Sequence, residues 1–563
     1  MRFASGVVLG AYVWLGATCS VFAQTVPPSV DPGRIPQRFE QGPQSKALPR
    51  IGGIQLPSTV APPNAASIML SVARFQITGS TVYSEAALAE LAAPLIGKSI
   101  PLTEVYALAS RITGRYGSDG YVLSRAIVPP QTLGSKGAVV HIEIIEGYVD
   151  RVVWPDGLQE RYRDFFTDYE RNIVGSRPAN IKVIERYLLL ASDLPGLKFS
   201  STFKPSASEP RSSTLLVSVE KKPIDALARI DNWGSKGRGP WQARAGGSLN
   251  NVFGQHESVS LTYVTTAPET EQLRYVEGSW KQVLTSEGLT FSFTGSYNTG
   301  IPGLPPLQAL NYDSAGVLFT AMLSYPLIRT RDENLTLSGI LFTEDVASNA
   351  LGVPFTDDRL RGVRSRIDYD RADTLGGINL VQVTLSQGIE GLGSTGNDNP
   401  MPSRIGGRVD FTKVEATLSR TQPLPAILPG LSLYGALYGQ YAWDPLLVVE
   451  QCSYGGKLFG RAFDPSALTG DNCINAAVEV RYDLRIPENP FKQTQLYGFL
   501  DRGFLERNTT SAGTPQSQLA SSAGVGLRLG WRDTVSIGVE AARGVDGDID
   551  HDWRGRFELT VRH

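Results

Sequence analysis

Histidine and cysteine are scarce in this chain, with four His and three Cys among 563 residues. Neither Cys-x-x-Cys nor His-Glu-x-x-His occurs, so no zinc site has the ligand spacing it needs. His141, on a strand-like stretch, and His256 read as structural or solvent-facing rather than catalytic. No Ser/His/Asp arrangement stands out, and Gly-x-x-x-x-Gly-Lys-Ser/Thr is missing. No catalytic residue, metal ligand or cofactor site is therefore assigned, and the chain does not read as an enzyme. Charge is also sparse: 19% of residues are charged and the net charge is −2, which excludes a general attraction for nucleic acid. Long apolar helices are lacking too. Beyond the N-terminal apolar stretch, the uncharged candidate 423–443 carries Pro423, Pro425 and Pro429 and several glycines, which oppose a helix.

What the chain has instead is glycine, 58 residues, with 21 Tyr, 21 Phe and 8 Trp, a composition that favours strands and turns. Its length predicts at least two or three units. Arg2, the apolar stretch 7–16 and Val21-Phe22-Ala23 read as a signal peptide, residues 1–23, cut after Ala23. The fit of Gly16, Thr18 and Cys19 to lipoprotein processing is poor. The mature chain then keeps only Cys452 and Cys473, in an oxidising compartment.

Residues 24–66 are rich in proline and polar side chains and predict no packed core. One island, 31–41, could form a short helix capped by Asp31 with Pro32 in its first turn, although Gly33 and Pro36 weaken it. From 67 the texture becomes globular. Ala73, Phe75 and Ile77 alternate as in a half-buried strand. Ser84 caps a helix over 85–96 and Thr103 a second one with Val105, Leu108, Ile112 and Tyr116 on one face. Strand-like stretches 121–128 and 139–146 follow. The order recurs in 149–222, with a strand at 149–154, helices at 158–169 (Tyr162, Phe165, Tyr169) and 181–192 (Ile184, Leu188), and a strand at 214–220. Two α+β units, 67–148 and 149–222, are expected.

After Pro223 the helical signal ends. Val525, Leu527, Leu529 and Trp531 alternate with Gly526, Arg528 and Gly530; Val535, Ile537 and Val539 alternate with Ser536, Gly538 and Glu540. Similar stretches recur at 260–264, 289–297, 335–341, 381–385 and 414–418. About sixteen candidate strands in 223–563 suit a transmembrane β-barrel with a lipid face and a polar lumen, against a soluble β-sandwich. The last stretch keeps Phe557, Leu559 and Val561 on one face up to His563, as a closing strand would. One segment interrupts the pattern, a long loop over 452–473.

Signal peptide, proline-rich segment, two βααββ-like units and a C-terminal barrel together resemble the TpsB transporters of two-partner secretion, in the superfamily that includes the barrel-assembly insertase. The two units look like POTRA domains, with Ile145-Glu146-Gly147-Tyr148-Val149 similar to the end of the first. Gly460-Arg461-Ala462-Phe463 is similar to the family's Val-Arg-Gly-Tyr/Phe loop tetrad, departing at the first and third positions, and Gly470-Asp471 also fits that loop. Phe499-Leu500-Asp501-Arg502-Gly503 matches the Phe-x-Asp-x-Gly motif of a barrel strand. The resemblance implies that Arg461 pairs with Asp501 inside the barrel and anchors the loop, with Phe463 packed beside it. Ala462 in place of Gly would be strained at positive φ. His563 stands where such barrels end on an aromatic residue.

By the same resemblance the protein would be a monomer in the bacterial outer membrane, embedded in lipid, with its POTRA domains in the periplasm. It would bind an unfolded TpsA-type exoprotein, pass it through the barrel and activate it, with client folding outside as the driving force. Periplasmic chaperones and the barrel-assembly machinery would serve its biogenesis. Residues 31–41 resemble the segment that plugs the pore in related transporters, with a disordered tail as the other reading. An insertase for other outer-membrane proteins is the alternative function; two POTRA-like units rather than more speak against it. Cys452 and Cys473 either stand as free thiols or close a loop of about twenty residues, stabilising it by ~3 kcal/mol.

Overall fold

A computed structural model describes residues 26–39, 42–48, 60–134, 137–156, 158–209, 211–484, 490–509, 516–547, 549 and 551–563. The reading of residues 1–23 as a signal peptide lies outside them, as does the side chain of Tyr162.

The first N-terminal domain packs helices Glu85–Ala92 and Leu102–Ser118 on a four-stranded sheet in which Met69–Thr78 lies between Ser99–Pro101 and Ala138–Ile145, with Arg125–Ile127 at the far edge. Leu108, Ile112, Tyr116, Val140 and Ile142 form its core. Ser84 caps the first helix by accepting from the Ala87 amide at 3.3 Å. Three details differ from the sequence reading: the first α-helix ends at Ala92, with a 3-10 turn over Ala93–Leu95, and two more concern its neighbours. The second helix begins at Leu102 after Pro101, so Thr103 lies inside it; the stretch 121–128 forms a strand only over Arg125–Ile127.

In the second domain, helices Gln159–Gly175 and Ile181–Ser192 cover a sheet ordered Tyr148–Val153, Ser212–Lys221, Leu197–Pro205. Phe166, Tyr169, Ile184, Leu190 and Leu215 are buried there. Strand Leu197–Pro205 was not legible in sequence, because Ser200, Ser201 and Thr202 break its apolar alternation where one face is solvated.

Sixteen antiparallel strands, from Ile224–Asp231 to Trp553–Arg562, form a closed barrel, each paired with its chain neighbours and the last with the first. Alternation is inverted relative to a soluble sheet. Leu261, Leu341, Leu385, Leu500 and Val525 point outward and are exposed, while Asn298, Ser348, Glu479 and Asp501 face inward and are buried. A chain that spends its apolar residues on the outer face requires lipid there. Trp241, Tyr441, Trp443 and Trp553 lie exposed at one rim, and Trp531 at the rim that carries the N-terminal domains. Among the described residues no helix is long and apolar enough to cross a membrane, and the strands perform that task.

Candidate functional site: the occupied barrel lumen

Two segments of the chain itself enter the lumen. The first is the connection between strands Leu431–Ala442 and Asn472–Asp483, so the long loop begins at 443, earlier than sequence placed it. Its base is stitched by Asp471, fully buried, which accepts from Arg404 NH1 at 2.5 Å, the Leu446 amide at 2.8 Å and the Asn508 amide at 2.7 Å. Short strands Cys452–Tyr454 and Leu468–Gly470 pair within it, and Cys452 is joined to Cys473 by a disulfide. Gly470 is required by space: a Cβ there would lie 2.7 Å from the Glu506 carbonyl oxygen.

At the loop tip, Arg461 reaches the barrel wall. Its Nε and NH2 donate to the two Asp501 oxygens at 3.1 and 2.8 Å, the parallel pair that a guanidinium and a carboxylate form best. NH1 donates to Glu479 Oε1 at 2.5 Å and lies 3.7 Å from Glu540 Oε2. Asp501 Oδ2 also accepts from the amides of Gly460 and Arg461, both at 3.2 Å, and from Ser522 Oγ at 3.1 Å. Arg461 and Asp501 are 3% and 0% exposed, so this is no surface pair. An unaccompanied buried charge pair seldom repays its desolvation; here the extra hydrogen bonds and the cations Arg481 and Arg528 on Glu479 offset that cost.

The spacing of the wall motif has a mechanical explanation. Phe499, Asp501 and Gly503 share the lumen face of strand Phe491–Arg507 because side chains alternate. The Phe499 ring lies under the Arg461 guanidinium, Cζ to centroid 3.6 Å, a favourable cation–π geometry. Asp501 holds the head group. At Gly503 a Cβ would come within 2.3 Å of the Tyr454 ring, so only glycine leaves room for it. Tyr454 in turn packs on Phe463, centroids 5.9 Å apart. Gly460 takes φ +77° and Ala462 has no positive φ, so the alanine is not strained. Sequence reasoning missed Glu479, Glu540, Ser522 and Arg556. The Arg556 side chain donates to the carbonyls of Arg461 and Phe463 at 3.2 and 2.8 Å. The available signal was four polar side chains at lumen-facing positions of strands whose other face is lipid-exposed.

The second segment, residues 26–39 and 42–48, lies in the lumen and at its rim. Two 3-10 turns, Pro28–Val30 and Pro32–Arg34, lead into helix Ile35–Phe39. Asp31 caps the Gly33 amide at 2.9 Å. Arg34, fully buried, donates through NH2 to the carbonyls of Val448 and Gln451 at 2.7 and 2.8 Å, and Gln37 to that of Val449 at 2.8 Å. The segment therefore grips the stem of the Arg461 loop. At the rim remote from the N-terminal domains, Arg238 Nε donates to the Val30 carbonyl at 3.0 Å and Ser235 Oγ to that of Ser29 at 3.2 Å. Ile35 packs on Val264, Leu273 and Tyr275.

Comparison with known proteins gives a consistent result. The sequence profile of the haemolysin secretion/activation protein family ShlB/FhaC/HecB matches residues 211–529, and that of the ShlB-type POTRA domain matches 70–147. The hemolysin transporter protein ShlB of Serratia marcescens is 24% identical over 440 residues, 77% of this chain and 75% of its own. The outer membrane transporter CdiB of Dickeya dadantii is 21% identical over 482 residues, 81% of each chain. In structure, CdiB from Escherichia coli superposes with a TM-score of 0.70 at 20% identity, covering 90% of this chain and 94% of its own. The chain belongs to the haemolysin secretion/activation family, a TpsB-type outer-membrane β-barrel transporter with N-terminal POTRA domains.

Proposed function

We propose that the protein exports an unfolded exoprotein through its barrel, with residues 26–39 as a removable plug, residues 42–48 as its tether and the Arg461 loop as a fixed element against which the client moves. The observation that carries this reading is what fills the lumen. Both occupants are parts of the chain, and the plug is held largely by side-chain hydrogen bonds to carbonyls, including Arg34 to Val448 and Gln451. Such bonds exchange readily with water, each with a net worth of about 1–3 kcal/mol, so displacement needs no unfolding of the barrel. The plug's buried apolar side chains, Val30 and Ile35, sit in two small clusters and add little to that hold.

In this reading the client meets the POTRA domains first. Strand Leu197–Pro205 is the nine-residue edge of the second domain. The outer edge strands of the first, Ser99–Pro101 and Arg125–Ile127, have three residues each. Strand addition draws on main-chain hydrogen bonds and tolerates varied sequences, so the longer edge suits an unfolded client. Phe463 and the Arg461 network keep the loop in the lumen during passage.

The test is deletion of the gene followed by quantitative proteomics of the cell surface and medium. Loss of one large exported protein, with other outer-membrane barrels unchanged, is the expected result. Loss of many barrels would instead identify an insertase, and an unaltered profile would remove the export reading.

A further inference from the structure

The plug is tethered at the periplasmic rim by a chain of hydrogen bonds, closed by one ion pair, that passes through the second POTRA domain. Residues 42–48 leave the lumen there. Asp370, on a barrel strand, accepts from Ser45 Oγ at 2.9 Å and from the Ala47 amide at 2.5 Å. The Leu48 amide donates to the Arg331 carbonyl at 2.9 Å. Asp370 is itself positioned by Asn334 Nδ2 at 3.1 Å, and Asn334 Oδ1 accepts from Arg329 NH1 at 2.9 Å.

Arg329 does not belong to the barrel alone. Its Nε and NH2 donate to the two Asp193 oxygens at 2.8 and 3.0 Å, and Asp193 follows helix Ile181–Ser192 of the second POTRA domain. Lys46 of the tether lies 3.6 Å from the same carboxylate. The circuit therefore closes: tether, Asp370, Asn334, Arg329, Asp193, tether. Arg329, Asn334 and Asp370 are each buried, where a misplaced partner leaves an unsatisfied polar group rather than a hydrated one. The Lys46 contact is half-exposed and weak by comparison, so the domain acts on the tether mainly through Arg329.

We infer that the seating of the second POTRA domain on the barrel, through Asp193 and Arg329, sets the grip of Asp370 on the plug tether. A client that tilts this domain as it binds would then loosen the tether before it reaches the lumen. This inference rests on the plug reading above. Asp193 is a positioning residue, because it lies off the plug helix and acts on Asp370 through Arg329 and Asn334. The arrangement costs the resting protein nothing in leakage, because the tether stays held while the domain is docked.

The experiment uses the full chain with Cys19→Ser in lipid nanodiscs and Ala47→Cys as a reporter; Ala47 is 2% exposed, and Cys452 and Cys473 are paired with each other. The rate of labelling by a membrane-impermeant maleimide reads tether release. It should be low in the reporter background. It should rise about tenfold or more with Asp193→Asn, with Arg329→Gln and with Asp370→Asn, the change expected on losing one charge-assisted hydrogen bond. A rise with Asp370→Asn but background rates with Asp193→Asn and Arg329→Gln would overturn the relay. Background rates in all three would overturn the grip itself. Channel conductance after deletion of residues 28–39 tests the plug separately: unchanged conductance would remove the plug reading whatever the labelling shows.

Discussion

At the residue scale, the anchor depends on shape as much as on charge. Arg461 uses Nε and NH2 on Asp501 and NH1 on Glu479 while stacking on Phe499. Lysine keeps the charge but has neither the fork nor the flat face. Arg461→Lys is therefore expected to behave like Arg461→Ala, each destabilising the loop by about 3–5 kcal/mol because buried acids lose their partner. Protease sensitivity of the loop in the assembled barrel measures this; a fully protected Arg461→Lys loop would contradict it. Gly503→Ala should displace the Tyr454 ring and loosen the same loop, since the new Cβ would sit 2.3 Å from it. The sequence made this half of the site legible, because Arg461, Asp501, Phe499 and Gly503 fall in two short motifs. Glu479, Glu540 and Arg556 were not legible, since each comes from a different strand and only the register of neighbouring strands brings them together. Gly33 reads as a helix breaker in sequence, yet a Cβ there would lie 2.6 Å from Val449, so close packing against the loop stem explains it.

At the element scale, the turn 251–256 should make docking respond to pH. His256 stacks on Phe165 of the second POTRA domain with centroids 4.1 Å apart. Burial pushes its pKa down from 6.5 to about 4, and nearby Glu257 opposes the shift only in part. A group with a depressed basic pKa in the docked state favours docking while it is neutral. Docking should weaken as pH falls from about 6.5 towards 4 and be insensitive to this group above 7. Distances between spin labels on the second POTRA domain and the barrel should broaden at pH 5 relative to pH 7.5. His256→Asn, which tolerates the φ of +59° found there, should abolish that difference; broadening that persists in the variant would assign it to other groups. The disulfide predicts a second effect. Replacing Cys452 and Cys473 by Ser should weaken the loop by about 3 kcal/mol on the chain-entropy view, seen as faster hydrogen exchange at Tyr454 and Leu468; unchanged exchange would contradict it. Strand periodicity made the barrel elements legible, because lipid on one face and a polar lumen on the other enforce alternation. Strand Leu197–Pro205 and the narrow Arg125–Ile127 were less legible, since their hydrophobic demand is weak.

At the scale of the whole molecule, three bodies share one set of contacts. The plug grips the loop stem through Arg34 and Gln37, the loop grips the wall through Arg461, and the tether is held where POTRA domain and barrel meet. Deletion of residues 28–39 should raise the conductance of the reconstituted barrel severalfold while leaving the Arg461 network assembled, because among the described residues its hydrogen bonds run to Asp501, Glu479, Ser522 and Arg556 and not to the plug. Bilayer recordings decide this, and a conductance equal to the intact chain would contradict it. Fold class and domain order were legible from pattern and resemblance together. The path of residues 26–39 and 42–48 was not, because a proline-rich segment with little apolar surface takes its shape from the partners that surround it. The central claim is that this is an exoprotein transporter whose lumen loop must be anchored to work. Its most direct measurement is the amount of exported client in the medium and on the surface of a deletion strain complemented with the intact gene, with Arg461→Ala, or with Asp501→Ala. The account predicts full export with the intact gene, and loss of export with both variants at normal levels of barrel in the outer membrane; export by either variant at the intact level would contradict it.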